Sequence, residues 1–140
     1  MRILLDVNII VDIFTGRPPF GADAQAIWSW FGPPPVFPSV TANTVTTVLY
    51  LLEKSLGTGK ATQAVKDLLA GAEVLPIDRA ILQTALAGAW PDFEDAVQDA
   101  AAEAAGILVI VTRDAKGFAN STRQILDATT LLGQLKATHP

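Results

Sequence analysis

The sequence predicts an α/β protein with a mainly parallel sheet, and three observations carry that prediction. Short apolar runs at residues 2–5, 36–39, 73–77 and 107–112 alternate with longer stretches of helical periodicity. The run at 107–112, ILVIVT, is apolar throughout, as a strand buried on both faces requires. Capping and turn residues fall between these segments rather than inside them. Alternation of this kind builds a sheet with helices on both faces.

The elements follow in order. Residues 2–5 form the first strand, and an apolar segment at 7–14, read as the first helix, runs into the loop TGRPPFG. Residues 22–31 place Ala24, Ile27, Trp28 and Phe31 at helical spacing, and GPPP at 32–35 ends the run. Residues 36–39 make the second strand. Residues 41–54 keep a helical period through Ala42, Val45, Val48, Leu49 and Leu52, although threonine is abundant. Thr58 is expected to cap a helix at 60–70. EVLPI at 73–77 is the third strand, Asp78 caps a helix at 79–88, and Trp90 and Pro91 break that run. Asp92 caps a largely alanine helix reaching residue 105, and Gly106 suits its end. After ILVIVT, RDAKGF reads as a loop, 124–126 as a last strand and 128–136 as a terminal helix. No repeat, low-complexity tract or long linker divides residues 1–140, which are expected to form one domain.

Composition narrows the chemistry. The chain has 140 residues, half of them apolar, with a mean hydropathy of +0.36, enough to bury a continuous core. It has no cysteine, and its one histidine, His139, is next to last. Thiolate catalysis, a Ser-His-Asp triad and His- or Cys-rich metal sites are thereby excluded, so acid–base or metal chemistry must come from carboxylates. A net charge of −4 argues against a non-specific nucleic-acid binder that relies on many cationic phosphate contacts. It does not exclude a nuclease, because bound cations reverse the local sign of an acidic site. No apolar run approaches the ~20 residues of a membrane span. Asp6 inside the amino-terminal apolar run is wrong for a secretory signal, so no membrane association and a cytoplasmic location are expected.

Three acids fall where such a sheet does its chemistry. Ligands bind beyond the carboxyl ends of the strands, where strand order reverses. Asp6 directly follows the first strand, Asp114 lies two residues after the strand ending at Thr112, and Asp95 sits in the first turn of a helix. If that helix starts at the same edge, the three converge. Carboxylates within ~4–6 Å raise one another's pKa, and Arg113 and Lys116 are the only cationic side chains nearby in sequence. A divalent cation is then the natural neutraliser; Mg²⁺ and Mn²⁺ favour carboxylate and water ligands and can activate water against a phosphate.

Each residue also has a plainer reading. Asp6 can cap the following helical turn. Asp92, Glu94 and Asp95 fit an N-cap with first-turn acids that complement the helix dipole, and Asp114 fits a solvated loop. Asn8 and Asp12 can be surface or turn residues of the first helix. The threonines of 41–47 can serve a half-buried face, though their hydroxyls can also orient water. Trp28, Trp30 and Trp90 fit a core or an oligomer interface better than a base-stacking platform.

Three stretches, LLDVNIIVD (4–12), DFEDAVQDAAAEAAG (92–106) and VIVTRDAKGF (109–118), resemble in order and spacing the PIN domain, the fold of VapC-type toxins. GRPPF (16–20) is similar to one PIN subgroup, and the resemblance spans essentially the whole chain. It implies a three-layer α/β/α sandwich with a mainly parallel central sheet, and an Mg²⁺- or Mn²⁺-dependent endoribonuclease acting on RNA. It further implies a homodimer neutralised by a small antitoxin. Matched residue by residue, the family's first, third and fourth acids fall on Asp6, Asp95 and Asp114, as catalytic metal ligands. Asn8, Thr47, Asp92 and Thr112 become supporting polar groups, and Arg113 and Lys116 candidate phosphate contacts. The chain departs from the pattern at the second acid: a glutamate is typical early in the helix after the second strand, and TANTVTTV at 41–48 puts Thr47 there. Glu53, six residues on, should point off that face. That leaves Thr47 to orient a metal-bound water and Asp92 or Glu94 to supply the missing charge, with weaker or shifted metal binding the expected consequence. The resemblance therefore leaves two readings, a toxin ribonuclease or a PIN-like RNA- or protein-binding module with degenerate catalysis. A phosphatase or receiver-like domain with Asp6 as nucleophile is a weaker third, because Asn8 stands where a second acid is wanted.

Overall fold

The computed structural model describes residues 1–32 and 34–140. The expected helix stop at 32–35 thus falls partly, at Pro33, outside the described residues. Strand β1 (Arg2–Leu5) leads into α1 (Val7–Thr15) and α2 (Gly21–Trp28). Then come β2 (Phe37–Thr41), α3 (Ala42–Leu56), α4 (Thr58–Gly71), β3 (Glu73–Leu75), α5 (Arg79–Ala87) and α6 (Phe93–Ala104). The chain ends with β4 (Val109–Val111), a 3-10 turn (Ala115–Phe118), β5 (Gln124–Leu126) and α7 (Ala128–Thr138).

Among the described residues the strands form one five-stranded sheet in the order β3-β2-β1-β4-β5. Every pairing is parallel, with Ile3 opposite both Pro38 and Val109. The chain steps outward from β1 to β3 and then returns to place β4 on the other side of β1. The order therefore reverses between β1 and β4, the place where open parallel sheets bind ligands beyond the carboxyl ends of their strands.

Alternation along the central strands assigns the layers. Ile3 and Leu5 of β1, with Val109 and Val111 of β4, join one buried cluster with residues of α1, α2, α3, α4 and α7. Leu4 and Ile110 point the other way, into a cluster with Ala101, Ala102 and Phe118. A sheet apolar on both faces and covered on both is the three-layer α/β/α sandwich expected from the resemblance. The tryptophans pack with this core: Trp28 meets Phe14 and Phe31 edge-on, and Trp90 meets Phe118 in the same way.

Asp78 and Asp92 cap α5 and α6 as expected, accepting from the backbone N–H groups of Ile81 and Asp95. Gly106, at φ 72°, takes the left-handed conformation that follows α6. Several boundaries differ from expectation for local reasons. Thr58 does not cap α4; Gly57 occupies that position and the helix begins at Thr58 itself. β2 runs two residues later than expected, to Thr41, so α3 starts at Ala42. β3 stops at Leu75 because Pro76 has no N–H to give the ladder. β4 is shorter than ILVIVT because its neighbour β5 offers only three residues to pair with. The loop RDAKGF contains the 3-10 turn, with Asp114 at its N-cap.

Candidate functional site

The edge beyond β1 and β4 is built around the Asp6 carboxylate. Asp6 is buried, and its own N–H is held by the Val111 carbonyl of β4 at 3.0 Å. Its Oδ1 accepts from the N–H of Val7 at 2.7 Å and from Nε2 of Gln98 at 2.9 Å. Its Oδ2 accepts from the Thr112 hydroxyl at 2.7 Å and from Nδ2 of Asn8 at 3.2 Å. The helix-cap reading of Asp6 is therefore a real contact, and it accounts for one of four hydrogen bonds. Buried carboxylates require such donors, so the network explains how an acid is tolerated within the apolar amino terminus.

Thr112 is the junction of this network. Its hydroxyl also accepts from the N–H of Asp114 at 3.0 Å, tying the start of the 3-10 turn to Asp6. Asn8 Oδ1 accepts from the N–H of Arg113 at 3.1 Å. Asp114 closes its turn by accepting from the N–H of Gly117 at 3.1 Å. A Cβ added to Gly117 would lie 2.6 Å from both Asp114 Oδ2 and Asp95 Oδ2, so these two carboxylates face each other across the glycine.

Asp95 is the strained member of the set. Among the described residues no hydrogen bond reaches its carboxylate, and its pKa is raised to about 7. Burial is the main cause, followed by the negative charges of Asp6, Asp92, Asp114 and Glu94. It stays in place because Asp92 caps α6 through the N–H of Asp95 at 2.9 Å. The plainer, capping reading of Asp92 thus holds. As the side chains stand, no group of three or more Asp, Glu, His or Cys among the described residues is arranged to hold a metal ion.

The remaining expected residues divide. Thr47 Oγ1 donates to Glu94 Oε1 at 3.2 Å, joining α3 to the first turn of α6. Arg113 is turned away from the acids: its guanidinium pairs with Asp12 at 2.7 Å and lies 4.2 Å from the centre of the Phe20 ring. Lys116 is exposed on the 3-10 turn and has no ion-pair partner among the described residues. Asp12 is not the surface or turn residue that the sequence suggested; it is buried, and the Arg113 guanidinium compensates its charge. A pocket of about 200 Å³ opens beside this pair, near Phe20, Asp23 and Asp127. None of Asp6, Asp95 and Asp114 lines it, so this pocket is separate from the three acids.

One residue of this edge, and one contact, escaped the sequence reading. Gln98 is buried and reaches Asp6; its signal was its position three residues after Asp95, on the same helical face. The Thr47–Glu94 bond had no local signal, because its partners come from different layers.

Solved structures of similar fold include VapC20 of Mycobacterium tuberculosis, described as a sarcin–ricin loop cleaving toxin. It aligns with a TM-score of 0.65 at 16% identity, over 77% of this chain and 86% of its own. VapBC-1 from nontypeable Haemophilus influenzae aligns with a TM-score of 0.67 at 21% identity, over 92% of this chain and 99% of its own. VapBC2 from Rickettsia felis, bound to a DNA fragment from its promoter, gives 0.67 at 14% identity, over 91% and 98%. At such identities the likeness is one of fold. Among curated proteins nothing matches. The PIN domain family model matches residues 2–116, which carry β1, β4 and all of Asp6, Thr47, Asp95 and Asp114, and the chain thus belongs to the PIN domain family.

Proposed function

We propose that residues 1–140 form one PIN domain acting as an Mg²⁺- or Mn²⁺-dependent endoribonuclease, the toxin of a VapBC-type pair. What supports this most is the meeting of Asp95 and Asp114 across Gly117, beside Asp6, at the point where strand order reverses. The donor set fits a hard divalent cation: oxygens only, with no cationic side chain hydrogen-bonded to Asp6, Asp95 or Asp114 among the described residues. Asp6, Asp95 and Asp114 would hold it. Bound there, such a cation lowers the pKa of a coordinated water and offsets charge on the scissile phosphate.

The chain's own residues supply orientation. Asn8 and Thr112 fix the Asp6 carboxylate, and Thr112 at the same time sets the start of the turn that carries Asp114. Asp92 holds the first turn of α6 and with it Asp95. Thr47 steadies Glu94 opposite them. Lys116 is the better placed phosphate contact, because Arg113 reaches a phosphate only by leaving Asp12.

Purified protein with Mn²⁺ or Mg²⁺ should cleave single-stranded RNA, and Asp6→Asn should abolish cleavage. Cleavage that survives EDTA or Asp6→Asn would overturn the mechanism. Structural neighbours that are toxin–antitoxin complexes support a small antitoxin as partner. With it, a cytoplasmic homodimer is the working assembly; among the described residues no helix is long and apolar enough to cross a membrane. Thr47 favours a second reading, an RNA- or protein-binding module with degenerate catalysis. If Thr47→Glu gains metal affinity and nuclease activity that the parent lacks, the second reading wins.

A further inference from the structure

The acid missing from α3 raises the question of what else on this edge offers oxygen, and two observations on α6 answer it. The first is Glu94. Its Oε1 accepts from Thr47 Oγ1 at 3.2 Å, so a carboxylate from α6 stands against the residue that replaces the α3 glutamate. The Thr47 hydroxyl also lies 3.5 Å from the carbonyl of Asn43, and it has one proton to give; the shorter contact is the one to Glu94. Glu94 is next to Asp95 in the first turn, and its charge is among those acting on Asp95.

The second observation is independent. Gln98, one turn beyond Glu94, is 1% exposed. Its Nε2 donates to Asp6 Oδ1 at 2.9 Å, while its Oε1 is buried and has no hydrogen-bond partner among the described residues. Exchanging the two ends of the amide would set Oε1 against a carboxylate oxygen, two acceptors with no proton between them, so the Asp6 contact fixes the orientation. An unpaired buried carbonyl is costly, and native folds rarely keep one without a reason. This one lies beside Asp6, bonded to the same carbon as the nitrogen that Asp6 accepts from. It is a buried acceptor next to the Asp6 anchor, and among the described residues no protein donor reaches it.

We propose that α6 supplies what α3 lacks: Glu94, steadied by Thr47, is the fourth oxygen donor toward the divalent cation, and Gln98 Oε1 accepts from a water that the cation carries. The inference rests on the metal-dependent reading above and deepens it. Helix geometry allows it, because Glu94 and Gln98 are an i, i+4 pair and Asp95 and Gln98 an i, i+3 pair, so Gln98 neighbours both acids on the helix surface. The hydroxyl of Thr47 then has a defined task. It holds a flexible, exposed glutamate in place at the cost of a carboxylate that α3 no longer contributes.

The test is Mn²⁺ affinity, measured by calorimetry and by the EPR signal of free Mn²⁺, in the full chain without RNA. Glu94→Gln should weaken binding at least about ten-fold, as loss of a ligand or its close support does elsewhere. Thr47→Val should weaken it by a smaller factor. Gln98→Met, which keeps the volume of the side chain but loses both its carbonyl and its donor to Asp6, should lower affinity while thermal unfolding confirms the fold. Glu103→Gln removes the same charge from an exposed position farther along α6 and should leave binding unchanged. Wild-type affinity in Glu94→Gln, or an equal loss in Glu103→Gln, overturns the inference while the metal-dependent reading stands. If the wild-type chain binds no Mn²⁺, or Asp95→Asn binds as well as wild type, that reading falls and this one with it.

Discussion

Asp6 and Asp95 belong to the same acidic edge and are held by opposite means. Asp6 is buried under four donated hydrogen bonds that come from α1, α6 and the end of β4. Asp95 accepts none among the described residues, and its burial, with four other acids adding to it, pushes its pKa to about 7. The first acid is placed by interactions that favour its charge, the second by a helix cap that acts on its backbone and ignores its charge. One half of the site is therefore part of what stabilises the fold. The other half is tolerated by the fold, and such perturbed groups cluster at functional edges.

Deleting each carboxylate should separate the two halves most sharply. Asp6→Ala leaves the Gln98 amide and the Thr112 hydroxyl without their acceptor, both buried, and removes the α1 cap. A loss of about 2–4 kcal/mol in unfolding free energy is expected. Asp95→Ala removes repulsion instead, so its stability should lie within about 1 kcal/mol of wild type or above it. Urea unfolding in the presence of EDTA measures both. Equal destabilisation by the two variants would erase the contrast.

A smaller effect should appear in pH dependence. The folded pKa of Asp95, about 7, lies above its ordinary value of 3.8, so between these limits the folded chain binds a proton that the unfolded chain has lost. Its contribution to stability is thus fully present below about 4 and falls away as pH rises to about 7. Asp127 acts in the opposite sense, because the N–H and hydroxyl of Thr130 lower its pKa. The informative quantity is therefore the difference between wild type and Asp95→Asn. Relative to the variant, wild-type Tm should decline from pH 4 to pH 7, and Mn²⁺ should restore it most at the upper end. A difference that stays flat across the window would remove Asp95 from the account.

The same contrast explains what could be read in the sequence. Strand and helix identities were legible because each depends on local periodicity: ILVIVT is apolar enough to declare a strand buried on both faces, and Asp78, Asp92 and Gly106 mark helix ends by their own chemistry. The placement of Asp6 and Asp114 followed from their positions after strands. Strand ends were less legible, because pairing partners set them, as β5 does for β4. Of the contacts that define each acid, the local caps by Asp6 and Asp92 were legible and the long-range ones were not. Gln98 meets Asp6 from 92 residues away and Thr47 meets Glu94 from 47, and neither pairing has a periodic signature. Asp12 illustrates the same limit: its helix position suggested solvent, and only the fold brings Arg113 over it.

The finest test of the contrast leaves every acid in place. Gly117 has no side chain where Asp95 and Asp114 approach, and a Cβ there would meet both carboxylates at 2.6 Å. Its backbone conformation is one an alanine adopts without strain, since Gly117 is not among the positive-φ glycines. Gly117→Ala should therefore keep stability within about 1 kcal/mol of wild type, because two flexible side-chain ends can give way. They can do so only by moving apart, which spoils the geometry in which they share a cation. Mn²⁺ affinity should fall about three- to ten-fold, a loss short of deleting a ligand. Asp6, fixed by its own donors, should be untouched, so the Asp6→Ala stability loss should add to that of Gly117→Ala without coupling. Strong coupling between the two would mean that Asp6 and the Asp95–Asp114 pair form one rigid unit rather than an anchored half and a yielding half.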